Sequence, residues 1–208
     1  MLSFTDFLTE SKTDSFSGIL YHGSGYQFDN FDQKKARIQD DFFGGGLAYL
    51  TSDTKVAITY AKSMAKTAKT NTPFVYKIKC TFKKVFDVDH KFTGKELLEL
   101  LPKDRKGMNE FARGAGMLKL DSNEADVMYK LETGKIELTG EEIFRGLSKG
   151  MNQTAKVRTF LISKGYDALR YNGGVNMDQA IKHDVYVAYK ANSMTVEKRM
   201  KVVPKTKT

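Results

Sequence analysis

The chain has no tryptophan, one cysteine, three prolines and three histidines among its 208 residues. The single cysteine, Cys80, excludes an internal disulfide framework and any multi-cysteine metal site. His22, His90 and His183 are too few and too scattered for a zinc site, so no metal is expected. No apolar run is long enough to span a bilayer as a helix, so no membrane role is expected. No segment repeats another. Acidic residues are in deficit, 25 against 34 basic ones, and the formal net charge of +9 suggests an anionic partner. Charge of that size speaks to steering and solubility, not to fold. A hydrophobic fraction of 40% and a charged fraction of 28% describe a water-soluble chain, long enough for one domain with a real core. A monomer is expected.

The ends read differently from the middle. Residues 1–10 place Phe4, Phe7 and Leu8 at helical spacing with Asp6 and Glu10 and no basic residue. They lack the positive start of a secretory signal. On physical grounds alone this is an amphipathic start that packs on the domain. Residues 11–17 are polar and read as a linker. Residues 198–208 are basic and read as a loose tail.

Between them, Gly18 to His22 reads as a strand ended by Gly23-Ser24-Gly25. A polar-aromatic loop with Phe28 and Phe31 follows. Phe42-Phe43 leads into Gly44-Gly45-Gly46, a run that allows tight turns or close approach of backbone to a ligand. Leu47 to Thr51 reads as a strand, Ser52 or Asp53 as a helix cap, and Val56, Ala57, Tyr60, Ala61 and Met64 as the apolar stripe of that helix. Phe74, Tyr76, Ile78 and Cys80 alternate as a half-buried strand, and Phe82 to Val88 is a further extended piece. Thr93-Gly94-Lys95-Glu96 and Thr139-Gly140-Glu141-Glu142 are capping-box patterns, each ahead of apolar residues. Residues 103–138 are rich in charge and glycine and read as an insertion. A helix over 154–164 points Val157, Phe160 and Leu161 inward and ends at Gly165. A strand at Tyr166 to Tyr171, a turn at Asn172-Gly173-Gly174 and a last strand at Asp184 to Tyr189 complete the chain. The order does not alternate as a doubly wound fold would, so the expected class is α+β with a mostly antiparallel sheet.

Several of these stretches, taken in order, resemble the His-Tyr-Glu branch of the ADP-ribosyltransferases, the branch of diphtheria toxin and the poly-ADP-ribose polymerases, in its small phage type. The residues are Tyr21-His22-Gly23-Ser24 on a first strand, Gly46-Leu47-Ala48-Tyr49-Leu50-Thr51 on a second, and Ala57-Ile58-Thr59-Tyr60-Ala61 on the helix after it. Lys164-Gly165-Tyr166-Asp167-Ala168 precedes a later strand, and Val185-Tyr186-Val187-Ala188-Tyr189 with Asn192-Ser193-Met194 ends the pattern. The glycine-to-tyrosine spacing at the second strand is one residue longer than the commonest one. The resemblance implies a split antiparallel sheet with flanking helices over 18–197, interrupted by the 103–138 insertion.

It also implies a chemistry. NAD would be the substrate, held by His22, Gly23, Ser24, Gly46, Tyr49, Thr51 and Tyr60. His22 would donate to a ribose hydroxyl, the Gly23 backbone would pair with the nicotinamide carboxamide, and Tyr49 would stack on the nicotinamide ring with Tyr60 as a second wall. Loss of nicotinamide develops an oxocarbenium-like cation, so positioning and electrostatics carry the catalysis. The family places a glutamate on the last strand for that cation; Val185 stands there, with Asp184 one residue earlier. Either a bulge turns Asp184 inward or the usual acid is missing. His22, Tyr49 and Asp184 are the expected catalytic set, with Asp178 a third acidic candidate.

Lacking that glutamate, the resemblance implies single rather than repeated transfer, to a host protein or nucleic acid. The alternatives are a catalytically inactive NAD- or DNA-binding protein that inhibits a host factor, and an NAD glycohydrolase. An RNA phosphotransferase is disfavoured because its basic-residue set is not evident. Residues 1–11 resemble the capsid-targeting peptide of internal head proteins of T-even-type phages, with Leu8-Thr9-Glu10 as the prohead protease site. That resemblance implies cleavage after Glu10, packaging beside phage DNA inside the virion, and delivery to the host cytoplasm. Losing Asp6 and Glu10 would raise the formal charge from +9 to +11.

Overall fold

The computed structural model describes residues 15–35, 43, 45–70, 72–118, 123–173 and 182–203. The 1–10 segment, its cleavage site, Gly44 and Asp178 lie outside the described residues. Nine strands run β1 (Phe16–Ser24), β2 (Ala48–Thr51), β3 (Phe74–Phe82), β4 (Val85–Asp87), β5 (Lys91–Phe92), β6 (Leu138–Thr139), β7 (Ala168–Gly173), β8 (His183–Ala188) and β9 (Met194–Lys201). Six helices run α1 (Thr54–Thr67), α2 (Gly94–Leu100), α3 (Arg105–Gly114), α4 (Glu124–Glu132), α5 (Gly140–Met151) and α6 (Thr154–Ser163). The class is α+β. Seven strands form an open sheet in the order β4-β7-β8-β2-β1-β3-β9, and β5 and β6 form a separate hairpin. Every neighbouring pair in the large sheet is antiparallel except β4 with β7. Among the described residues no helix is long and apolar enough to cross a membrane.

The two sides of the sheet are packed differently. Strand alternation sends Leu20, Leu50, Tyr76, Ile78, Cys80, Phe82 and Tyr186 into one apolar cluster. The loop after β1 covers it, with Phe28 stacked on Tyr76 at 4.0 Å. Phe16 of β1 reaches Tyr186 of β8 at 4.7 Å across the short β2, so the sheet curls over this cluster. The opposite side carries the helices. There Ala57 and Ala61 of α1 pack on Val75, while α2–α6 bury Leu97, Phe111, Leu131, Ile143 and Leu161 against Phe86, Leu169 and Val187.

The helix starts are chemically specified. Asp53, rather than Ser52, caps α1 by accepting from the amides of Lys55 and Val56 at 2.6 and 3.0 Å. Both sequence-read capping boxes form, at Thr93 with Glu96 and at Thr139 with Glu142.

Several boundaries move. β1 begins at Phe16 and continues through Gly23 and Ser24, because β3 offers an unbroken antiparallel partner from Phe16↔Phe82 to Ser24↔Phe74. The linker reading therefore fails at residues 16 and 17, and Gly23 does not end the strand. The expected tail is strand as far as Lys201, because β9 pairs with β3 up to Phe74↔Lys201. The turn at Asn172-Gly173 is strand too, paired with Asp184 and His183. Within 103–138, α3 and α4 contribute Met108, Phe111, Met128 and Leu131 to the core, so the stretch is part of the domain's packing.

Candidate functional site

The sheet has one weak seam. β1 is bonded along its length to β3, and β2 to β8 from Ala48↔Ala188 to Thr51↔Val185, but β1 and β2 share a single register pair, Tyr21↔Thr51. Beyond that pair the strands part. Continuing the register would bring Gly23 level with Tyr49. Instead the His22 ring spans the opening, its Nδ1 2.9 Å from the Tyr49 carbonyl oxygen.

That contact fixes the chemistry of His22. A carbonyl oxygen only accepts, so Nδ1 carries the proton and donates, leaving Nε2 as an acceptor in the neutral ring. Burial holds the His22 pKa below its ordinary value of 6.5, against the opposing influence of the Tyr49 carbonyl. The rings of Phe28, Phe31 and Tyr76 stand around it at 5.9, 5.8 and 6.3 Å. In the neutral ring Nε2 is left as an acceptor, and the one N–H is turned to the Tyr49 carbonyl. Phe28 and Phe31 were visible in the sequence only as a polar-aromatic loop; their spacing of three directly after a strand is the signal that could have placed them here.

Tyr49 lies on the helix side of β2, since Ala48 and Leu50 are buried in the opposite cluster. The His22 ring follows the alternation of Leu20 and packs with Phe28, Phe31 and Tyr76 on that opposite side, the side of Asp184, so it meets Tyr49 only at the backbone carbonyl. Tyr49 is 38% exposed, and Tyr60 on α1 is 47% exposed, in the range of Tyr26 and Tyr129 elsewhere on the surface. Tyr60 sits over Gly23: a Cβ built on Gly23 would fall 3.1 Å from the Tyr60 Cβ, 2.6 Å from the Ala61 nitrogen and 2.3 Å from the Ala57 oxygen. Gly23 is therefore required by the close approach of α1. The alanines of the Ala-x-x-Tyr-Ala segment have the same origin, since Ala57 and Ala61 are fully buried in that contact.

The other expected ligand residues are occupied locally. Ser24 Oγ accepts from the Tyr26 amide at 3.0 Å, and Thr51, 5% exposed, accepts from the Asp53 amide at 3.1 Å. A Cβ on Gly46 would meet Val187 Cγ1 at 2.5 Å, so Gly46 lets its loop lie on β8.

Asp184 is not brought to the cleft. β8 keeps a regular register with both β2 and β7, so Asp184 faces the side opposite Val185. Val185 stands on the Tyr49 side, paired with Thr51. Asp184 accepts from Arg170 Nη2 at 2.9 Å and Nε at 3.2 Å, and Arg170 also pairs with Asp87. These groups line a shallow depression of about 310 Å³ with Phe16, Val85 and Tyr186, on the far side of the sheet from Tyr49. No bulge forms because an inward Asp184 would give up Arg170 and break the pairing of its backbone with Ser52, whose hydroxyl oxygen accepts from the Asp184 amide at 3.0 Å.

The Lys-Gly-Tyr-Asp-Ala segment is structural. Asp167 is 7% exposed and accepts from the Lys83 amide at 2.8 Å and Lys190 Nζ at 2.6 Å, tying the β3–β4 turn to the end of β8. Burial raises its pKa, but the Lys190 and Lys83 hydrogen bonds outweigh that and hold the carboxyl below the usual range. Among the described residues no cluster of His, Cys, Asp or Glu could hold a metal. No family model, curated protein or solved structure matches this chain.

Proposed function

We propose that the opening between β1 and β2 binds NAD and that the protein transfers a single ADP-ribose from it to a host macromolecule. The observation that carries this reading is the junction itself. A sheet held together there by one register pair is bridged by His22 to the Tyr49 carbonyl, with Tyr60 of α1 over Gly23 and the exposed Tyr49 ring on the same side of the sheet. The single-pair seam in an otherwise continuous sheet is compatible with the split sheet that the resemblance implies. Two open aromatic rings supply flat, amphipathic walls for a nicotinamide. His22, whose ring stands on the other side of the sheet from the two tyrosines, would act by holding the Tyr49 carbonyl and so the shape of the seam. Backbone groups of Gly23 and Tyr49, at the parted strand edges, would meet the carboxamide.

A second reading is favoured by a specific observation: Val185 occupies the position of the family's acid and Asp184 is committed to Arg170 on the other face. On that reading the cleft holds NAD without turning it over. Incubation with labelled NAD and host lysate separates the two. Labelled macromolecules that disappear in His22→Ala and Tyr49→Ala support transfer. Free ADP-ribose without labelled macromolecules marks a hydrolase. NAD binding with neither product marks the inactive form. Labelling unchanged in both variants sinks the assignment of the site. The capsid-targeting reading of residues 1–10 is tested separately, by N-terminal sequencing of the protein from purified virions, which should begin at Ser11.

A further inference from the structure

The outer surface of α1 is basic and free of acid, as the shorter α6 is with Lys156 and Arg158, but α1 carries more lysines. From Thr54 to Lys69 there are four lysines, Lys55, Lys62, Lys66 and Lys69, and no acid. All four are exposed. At 100° per residue Lys55, Lys62 and Lys66 fall on one stripe, on the side of the helix away from Tyr60 and Met64, and Lys69 follows two residues past the helix end. None forms an ion pair among the described residues, where every charged pair lies elsewhere.

The sheet continues the pattern. α1 packs on the side of β3 that carries Val75, and alternation puts Lys77 and Lys79 on that same side. β9 places Lys198 directly opposite Lys77. Two like charges facing each other across a ladder oppose the pairing, and only Glu197, 2.9 Å from Lys77, offsets them. This half of the sheet side thus presents seven lysines, with Asp53 and Glu197 as the acids on or beside it, and Asp53 is turned to the α1 amides. Helices α2, α4 and α5 lace their solvated faces with pairs one turn apart, Lys95–Glu99, Lys130–Asp126 and Arg145–Glu141, and α1 does not.

We infer that α1 and the adjoining β3–β9 surface form a binding face for the phosphate backbone of nucleic acid. Unpaired lysines along a rigid helix neutralise successive phosphates and release their counterions, which gives sequence-independent, salt-sensitive affinity. The small residues Ala57 and Ala61 of α1 are fully buried against Gly23 and Val75, and its exposed apolar side chains, Tyr60 and Met64, stand on the side away from the lysine stripe, so a lipid surface could not meet both at once. The inference does not depend on NAD: the lysine stripe and the tyrosine cleft lie on different sides of α1.

The test is fluorescence anisotropy of the full chain with labelled 20-mer duplex and single-stranded DNA across a salt series. The variants are Lys62→Gln/Lys66→Gln/Lys69→Gln and, with the same change of net charge, Lys95→Gln/Lys130→Gln/Arg145→Gln. The first triple should weaken binding at least tenfold and lower the salt slope by about 3, roughly one per lost phosphate contact. The second should leave both within about twofold. Equal weakening by the two triples would mean net charge alone acts and overturns the inference. So would no binding by the parent chain, or binding to phosphatidylserine vesicles that drops with the first triple while DNA binding does not. Circular dichroism of both triples establishes that α1 is intact.

Discussion

Two helical coverings lie on one side of the same sheet, and they are built for different ends. Over β4, β7 and β8, helices α2–α6 interlock through large side chains: Leu97, Leu101, Met108, Phe111, Met128, Leu131, Ile143 and Leu147. Their surface charges are paired along and between helices. Over β1 and β3, α1 is held by Ala57, Ala61 and Val75 against a strand whose Gly23 touches the helix backbone. Its surface lysines are unpaired, and Tyr60 and Met64 stay open at 47% and 40% exposure. The lesson is a division of labour. The thick layer supplies most of the buried apolar area, and hence most of the stability. The thin layer spends little side-chain volume so that a helix can lie close to the seam between β1 and β2, with its tyrosine at the opening.

If that division holds, damage to the thick layer should lower stability without touching ligand affinity. Phe111→Ala removes a fully buried ring at the α3–α5 contact. It should cost about 3–5 kcal/mol, read as a drop in the urea midpoint. NAD affinity measured where the variant remains folded should be unchanged. A large loss of affinity in the folded variant would mean the two layers are coupled.

Damage to the thin layer should do both. Gly23→Ala drives a methyl into the Ala57 carbonyl and the Ala61 nitrogen, neither of which can rotate away. A cost of about 2–3 kcal/mol is expected from overpacking, together with loss of NAD binding as α1 and Tyr60 are pushed off the seam. Retained binding with the same destabilisation would separate Tyr60 from the site. The smallest effect is a pH dependence. The pKa of His22 is lowered below 6.5 in the folded chain by burial. The unfolded chain therefore takes up the proton first, and the contribution of His22 is complete above pH 6.5 and is lost as pH falls through the folded pKa. His22→Gln should flatten that part of the stability–pH curve; an unaltered curve would mean the ring is not held neutral.

Much of this architecture was legible in the sequence, and the gaps have physical causes. Alternation at Phe74 to Cys80, the capping boxes at Thr93 and Thr139 and the glycine stop at Gly165 are local signals, and each element forms where they predict it. β1 and β9 outran their expected ends because strand pairing with β3 overrides the local preferences of Gly23 and of the lysines after Val196. Helices α3 and α4 were hidden because each is short and buries only two or three large residues. At the site, the residue types at Tyr49 and Tyr60 and their spacing from His22 could be read directly. The tautomer of His22 could not, because a backbone carbonyl 27 residues away sets it. The orientation of Asp184 could not either. It depends on Arg170, which is placed by β7 and held also by Asp87 from a strand 83 residues earlier.

The most direct measurement is calorimetric titration of the full chain with NAD, beside Tyr49→Ala and Asp184→Asn. The parent should bind one NAD per chain, Tyr49→Ala should lose at least tenfold in affinity, roughly the 1.4 kcal/mol or more of a stacked ring, and Asp184→Asn should bind as the parent does because it faces the other side of the sheet. No binding by the parent, or a loss in Asp184→Asn with none in Tyr49→Ala, would contradict the placement of an NAD site between β1 and β2.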